Sequence, residues 1–229
     1  MKLNTNSNIY TFVYMTVVVI IVAVLLAVVS QALAPKQQAN ILLDKQKQIL
    51  GALKVDYTNA DPAEVYMLLV CDTLRYGDKE VYVADINSDI KYILPLSGKG
   101  LWGGIGGYLA LDEDKNTIYG VNFNHESETP GLGAKIVEPE FRSQFEGKHI
   151  RNAEGAVVSV AVLKTGKHAE GQEQVDAISG ATITSSGVSN MLKANLCDEY
   201  KEFLNEANSQ QPTANSQIEM EEDHVESKD

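Results

Sequence analysis

Two cysteines in 229 residues leave little room for metal or disulfide chemistry. Cys71 and Cys197 stand far apart, no Cys-x-x-Cys pair occurs, and the four histidines are scattered. An iron–sulfur or zinc site built from this chain alone is therefore not expected, and no metal ligand is assigned. Both cysteines read as small core residues, and the sequence leaves a disulfide between them open. Basic residues are also scarce, 19 Lys and Arg against 31 Asp and Glu, for a net charge of −12. A nucleic-acid partner needs a basic face, so that class is excluded. No Gly-Lys-Ser/Thr follows any glycine-rich stretch, which rules out a Walker loop. No glycine cluster sits between a strand and a helix with a later ribose-binding acid, so a dinucleotide fingerprint is missing too.

Charge is absent altogether between Leu3 and Ala34. The apolar centre, from Ile9 to Val29, is about 20 residues long, enough to cross a bilayer as a helix. Tyr10 and Tyr14 suit one membrane interface. Ala32-Leu33-Ala34 has the small-residue pattern of a cleavage site. The run is nevertheless longer than the apolar part of a signal peptide, so a retained anchor is expected. Only Lys2 and the α-amino group precede the span, while Lys36, Lys45 and Lys47 follow it. Counting positive charges places the following domain in the cytoplasm.

Beyond the span, Pro35 interrupts the helix or starts a new one. Ala39, Leu42, Leu43, Ile49, Leu50 and Leu53 mark one face of a stalk helix. Asp61-Pro62 reads as an N-cap with proline at the first helical position, opening a short helix to about Thr73 whose Met67, Leu68 and Leu69 pack in the core. Strand patterns follow at 80–86, 92–96, 109–111, 117–123 and 157–163. The turn at 112–116 is acidic but lacks the glycine and distal glutamate of a calcium loop. Near the end, Val188, Met191, Leu192, Leu196, Tyr200, Phe203 and Leu204 recur at three- and four-residue steps, the face of an amphipathic helix. Thr184, Ser185 and Ser186 are its candidate caps. After Ala207 the composition turns to Gln, Asn, Ser and acid, an expected disordered tail.

Three stretches carry the chemistry. Gly98 to Tyr108 holds six glycines and the only tryptophan, Trp102. It suits bulges and tight turns, or bare backbone against a planar ring ligand. His125-Glu126-Ser127-Glu128-Thr129-Pro130-Gly131-Leu132-Gly133 favours a turn, with glycines that permit positive φ. His125 beside Glu126 and Glu128 has the residue types for proton transfer, but ordinary loop hydrogen bonding is the expected use, and no catalytic residue is assigned. Asp176-Ala177-Ile178-Ser179-Gly180-Ala181-Thr182 precedes the amphipathic segment. There Thr182 sits just before a helix N-terminus, where backbone N–H groups and the helix dipole favour a phosphate.

Asp176-x-x-Ser179-Gly180-Ala181-Thr182 resembles the acceptor motif for covalent flavin attachment. With Leu101-Trp102-Gly103, Tyr108 to Asp112, the Glu128 to Gly133 loop and Ala34-Pro35-Lys36-Gln37, all in order, the chain resembles the C subunit family of sodium-translocating NADH:quinone oxidoreductases over residues 9–206. The G subunit of Rnf-type ferredoxin:NAD oxidoreductases shares the Thr-Pro-Gly loop and the acceptor motif, while the Leu101-Trp102 stretch favours the first family. The resemblance implies an α+β protein: a single N-terminal transmembrane helix followed by one mixed helix/sheet FMN-binding domain. The expected divisions are an anchor at 1–34, a stalk and linker at 35–60, the FMN-binding domain at 61–206 and the tail at 207–229. It implies FMN joined by a phosphoester to Thr182, with Asp176 read by the flavin transferase. Thr129, Gly131, Leu132, Gly133, Lys164, Ser179, Gly180, Ala181, Thr184, Ser185 and Trp102 would complete the cofactor site. It further implies an electron carrier with no complete activity alone, working among the other membrane subunits of a six-subunit NADH:quinone oxidoreductase. The span would lie in the bacterial inner membrane with the domain on the periplasmic side, against the charge count.

Overall fold

The computed structural model describes residues 8–164, 167, 171 and 173–206. The expected acidic tail and Lys2 lie outside them. Helix α1 runs from Asn8 to Ala52 with Pro35 inside it. Its apolar part is long enough to cross a membrane by length and composition, with a mean hydropathy of 3.1 over the best window. Pro35 does not interrupt the helix, contrary to the reading above. The chain divides into two compact units, residues 1–45 and 46–229. The last turns of α1 thus belong to the second unit, which begins inside the expected stalk.

Within that second unit a five-stranded antiparallel sheet follows the chain in order: β1 (Val70–Tyr76), β2 (Lys79–Ile86), β3 (Asp89–Lys99), β4 (Gly104–Leu111) and β5 (Ile118–His125). Its central strands are buried on both faces, which explains their nearly unbroken apolar runs. Val81, Val83, Leu94, Leu96, Leu109 and Leu111 face one core. Tyr82, Ala84, Ile93 and Ala110 alternate to the other, where Ile49, Ala52 and Leu53 cover them. Close approach of the α1 end to β5 depends on two glycines. A Cβ on Gly120 would lie 2.5 Å from the Ala52 carbonyl oxygen, and one on Gly51 would lie 2.6 Å from Asn122 Nδ2.

The first core is closed by α4 (Thr182–Ala194), a π-helical turn (Asn195–Glu199) and α5 (Lys201–Asn205). All seven residues of the expected amphipathic face are buried there. Between β5 and α4 the chain passes through 3₁₀ turns, α3 (Pro139–Arg142) and a short parallel pair, β6 (Ala161–Val162) with β7 (Gln174–Val175). Phe145 meets Phe123 and Phe141 edge to face in this layer, with centroids 5.3 and 5.4 Å apart.

Four local expectations are corrected. Helix α2 (Pro62–Leu69), capped by the Asp61 side chain on the Ala63 amide at 3.0 Å, stops where Val70 turns extended and gives way to β1. Met67 and Leu68 are not core residues; they are 78% and 82% exposed. Cys71 is exposed and Cys197 half-buried, and both are free thiols. The strand expected at 157–163 shrinks to Ala161–Val162 plus an isolated bridge from Val157 to Arg151. There Ser159 takes φ +68, which breaks the extended run.

Candidate functional site

Three loops meet beside the start of α4. The glycine-rich block at 98–108 is a hairpin: Gly98 and Lys99 end β3, Gly104 starts β4, and 100–103 forms the turn. The turn closes with a Gly100 amide to Gly103 carbonyl bond of 2.9 Å. Gly187 of α4 packs against it, with room for a Cβ denied by the Lys99 carbonyl oxygen at 2.6 Å. The hairpin is thereby held on the helix that carries Thr182.

The second loop, 126–133, is joined to the first through its carboxylates. Glu126 Oε2 accepts the Gly104 amide at 2.9 Å. Glu128 is 4% exposed. Its Oε1 accepts the amides of Leu101 at 2.7 Å and Trp102 at 3.0 Å, and its Oε2 accepts the Thr184 hydroxyl at 2.6 Å. Burial raises the Glu128 pKa. The Thr184 hydrogen bond, the two amides and the nearby His125 outweigh it, and the carboxyl is held below its ordinary value. The two glutamates thus tie the loop together, and His125 Nδ1 is buried with no hydrogen-bond partner among the described residues.

The third loop ends at the acceptor stretch. Gly180 adopts φ +78, and a Cβ there would meet Leu132 Cδ2 at 2.9 Å, so the second and third loops touch at that point. Ala181 is buried and forms the N-cap residue of α4 without a side-chain cap, while Ser179 and Thr182 are exposed. Thr182 is the first residue of α4, not the residue before it. The candidate caps are corrected in the same way. Thr184 and Ser185 lie inside the first turn, buried, with Thr184 bonded to Glu128 and Ser185 Oγ accepting the Ile178 amide at 3.2 Å. Both hydroxyls are buried, and the Thr184 proton is donated to Glu128. Ser185 is the first residue whose amide bonds within the helix, to the Ala181 carbonyl at 2.9 Å. The amides of Ile183 and Thr184 precede that ladder and offer the donor end of the helix dipole.

Of the remaining expected residues, Thr129 and Gly131 are exposed on the second loop, and Gly133 is buried against Thr184. Gly131 has φ +74 with open space beside it. Trp102 is 67% exposed although its amide is fixed by Glu128. Asp176 is half-buried just after β7, its amide donating to Gln144 Oε1 at 2.8 Å. Lys164 is exposed at the far end of the β6–β7 pair, and no hydrogen bond or ion pair among the described residues ties it to the loops. Glu128 is not among the cofactor-site residues expected from the sequence, where it stands only as a proton-transfer candidate beside His125. Its signal was an acid lodged among glycine-rich turns, whose bare amides need an acceptor.

Leu101, Trp102, Leu132 and Ile183 are all large, apolar and exposed, and all belong to these loops or to the first turn of α4. A hydroxyl at a helix start, amide donors behind it and an apolar rim around it fit a phosphate-bearing planar cofactor. The glycine cradle points the same way, since side chains at Gly131 and Gly180 would adopt strained backbone and, at Gly180, fill the space against Leu132.

Comparison with known proteins agrees. Residues 100–196 match the model of the FMN-binding domain. The chain is 40% identical to the C subunit of the Na(+)-translocating NADH-quinone reductase from Parabacteroides distasonis in its crystal structure, with a TM-score of 0.71 over 76% of this chain and 98% of that one. It is 40% identical to the Pasteurella multocida protein of the same description over 52% of this chain and 46% of that protein. With the Haemophilus ducreyi protein of that description the identity is 28% over 84% of this chain and 91% of the relative. The chain belongs to the family formed by the C subunits of Na(+)-translocating NADH-quinone reductases.

Proposed function

We propose that this chain is the FMN-carrying C subunit of a membrane sodium-translocating NADH:quinone oxidoreductase, and that Thr182 holds the cofactor through a phosphoester. The observation that carries the reading is the exposed Thr182 hydroxyl at the first position of α4, inside Ser179-Gly180-Ala181-Thr182 and within the matched FMN-binding region. A flavin transferase would deliver FMN from FAD: the threonine oxygen forms the new bond to phosphorus and AMP leaves. Asp176 belongs to the stretch that the transferase reads. Bound FMN supplies one- and two-electron redox chemistry. The chain's own part is to hold the phosphate at the dipole end of α4 and to offer the ring an apolar rim of Trp102, Leu132 and Ile183.

The protein then relays electrons between redox centres of partner subunits and completes no reaction alone. Its span holds no charged residue between Asn8 and Ala34 to serve as an ion path, so sodium movement falls to the partners. The partners are the other membrane subunits of the complex and, during maturation, the transferase. The span anchors the chain in the lipid bilayer of the bacterial inner membrane, with the domain on the periplasmic side.

Intact mass of the chain co-expressed with a flavin transferase tests the reading, alongside Thr182→Val and Thr184→Val. One added FMN, lost in Thr182→Val and kept in Thr184→Val, is expected. Loss only in Thr184→Val moves the acceptor. No addition in any sample, with an active transferase, leaves a membrane-anchored binding module without flavin.

A further inference from the structure

We infer that Glu128 is a positioning residue of the flavin site: its buried carboxylate joins the Trp102 turn, the 128–133 loop and the first turn of α4, and so sets the surroundings of the acceptor. The inference rests on the proposed attachment at Thr182. All three segments reach Glu128 directly, through the amides of Leu101 and Trp102 and the hydroxyl of Thr184. Each partner donates. An ionised carboxylate accepts from all three, whereas an amide would keep its oxygen on the two backbone N–H groups and donate its NH₂ to the Thr184 oxygen, reversing that bond and removing the charge.

The surrounding glycines are shaped to this carboxylate. A Cβ on Gly100 would lie 3.0 Å from Glu128 Cδ and 2.9 Å from Ile105 Cγ2. A Cβ on Gly133 would lie 2.5 Å from Thr184 Oγ1 and collide with Glu128 as well. Both glycines thus leave room for one buried charge. That charge is one hydrogen bond from Thr184, which follows the acceptor by two residues. It is a fixed negative charge near the cofactor, and it disfavours adding electrons there.

Two readouts separate positioning from bulk stabilisation. The first is hydrogen–deuterium exchange of the full-length chain in detergent, made without the transferase and so without flavin. In Glu128→Ala the Leu101 and Trp102 amides are expected to exchange at least tenfold faster, while strands β2 to β4 keep their protection. In Glu128→Gln, whose carbonyl oxygen still accepts both amides, they are expected to stay within threefold of wild type. The second is the midpoint potential of the flavin in co-expressed protein, expected to move positive in Glu128→Gln because the charge is gone. Exchange at Leu101 and Trp102 unchanged in Glu128→Ala overturns the inference, and so does an unchanged potential in Glu128→Gln. Should Glu128→Ala fail to fold, the Glu128→Gln potential decides alone. If wild type takes up no FMN, the proposed function fails while the exchange measurement still judges the clamp.

Discussion

Gly51 lies in the last turn of α1, where replacing glycine by alanine ordinarily stabilises a helix by about 1 kcal/mol. Here the opposite sign is expected. The new Cβ would lie 2.6 Å from Asn122 Nδ2 and 3.1 Å from its Cγ. Asn122 cannot simply swing aside, because its Nδ2 donates to the Gln48 carbonyl at 3.1 Å and its Oδ1 accepts Arg142 Nη1 at 2.5 Å. Arg142 already has a buried Nε with no partner among the described residues, so losing Asn122 leaves its guanidinium poorly satisfied. One neutral and one charge-assisted bond cost about 2–4 kcal/mol to break. Setting that against the helix gain, Gly51→Ala should destabilise by roughly 1–3 kcal/mol. For a unit of this size that lowers Tm by about 2–10 °C. The assay is thermal unfolding of the detergent-solubilised chain followed by circular dichroism. In an Asn122→Ala background the obstacle is gone, and the same substitution should be neutral or stabilising by up to about 1 kcal/mol. A stabilising Gly51→Ala in the native background, or an equal effect in both, would refute the argument.

Other outcomes follow from the same contacts. Phe203, fully buried between Tyr76 and Tyr92, should cost about 3–5 kcal/mol when cut to alanine, read by urea unfolding. Met67→Ser and Leu68→Ser should each change stability by less than about 0.5 kcal/mol in the same assay, since both side chains are already in solvent. Because the folded-state pKa of Glu128 is depressed, its contribution is present above the pKa of the unfolded chain and is lost as pH falls through the lower folded value. Acid titration of the unfolding free energy should therefore show a shallower decline below about pH 4 in Glu128→Gln than in wild type. Lys115 donates to the carbonyls of Phe203 at 3.2 Å and Glu206 at 3.4 Å, at the end of α5. Lys115→Met should cost about 1–3 kcal/mol by thermal unfolding, the burial of the ammonium offsetting part of what its bonds contribute.

The amphipathic face from Val188 to Leu204 was legible because its spacing survives intact, even though a π-helical turn at Asn195–Glu199 divides the helix. Strands β2, β3 and β5 were legible from β-branched and aromatic runs; of β4 only Leu109–Leu111 was, because Gly104, Gly106 and Gly107 read as turns, and β1 was hidden. Its Cys71, Asp72, Thr73 and Arg75 are exposed, so no apolar pattern marks it and the preceding helix seemed to continue. Met67 and Leu68 misled for the converse reason: an apolar side chain carries no sign of whether anything will cover it. At the candidate site, the turn leading into α4 and the glycine loops could be read from local residue types. The inward commitment of Thr184 could not, because its partner Glu128 lies 56 positions away and hydroxyl spacing near a helix start does not say which side each faces. Asn195 raises the same difficulty, its side chain donating to the Ser97 carbonyl 98 positions away.

The sheet is a meander whose neighbours in space are neighbours in sequence, so its hairpins close with short loops and little entropic cost. Helix α4 is different. With the π-helical turn and α5 that follow it, it docks onto β3 through contacts such as Asn195 to Ser97, 98 residues apart, and Tyr200 to Pro95, 105 apart. During synthesis the ribosome releases the meander well before α4 emerges, and the expected order is sheet first and helix last. Thr182 rides on that last piece. On the proposed attachment at Thr182, a chain truncated after β7 would retain the residues of all five meander strands yet have no acceptor to load, so modification would mark that the carboxy-terminal helix has arrived.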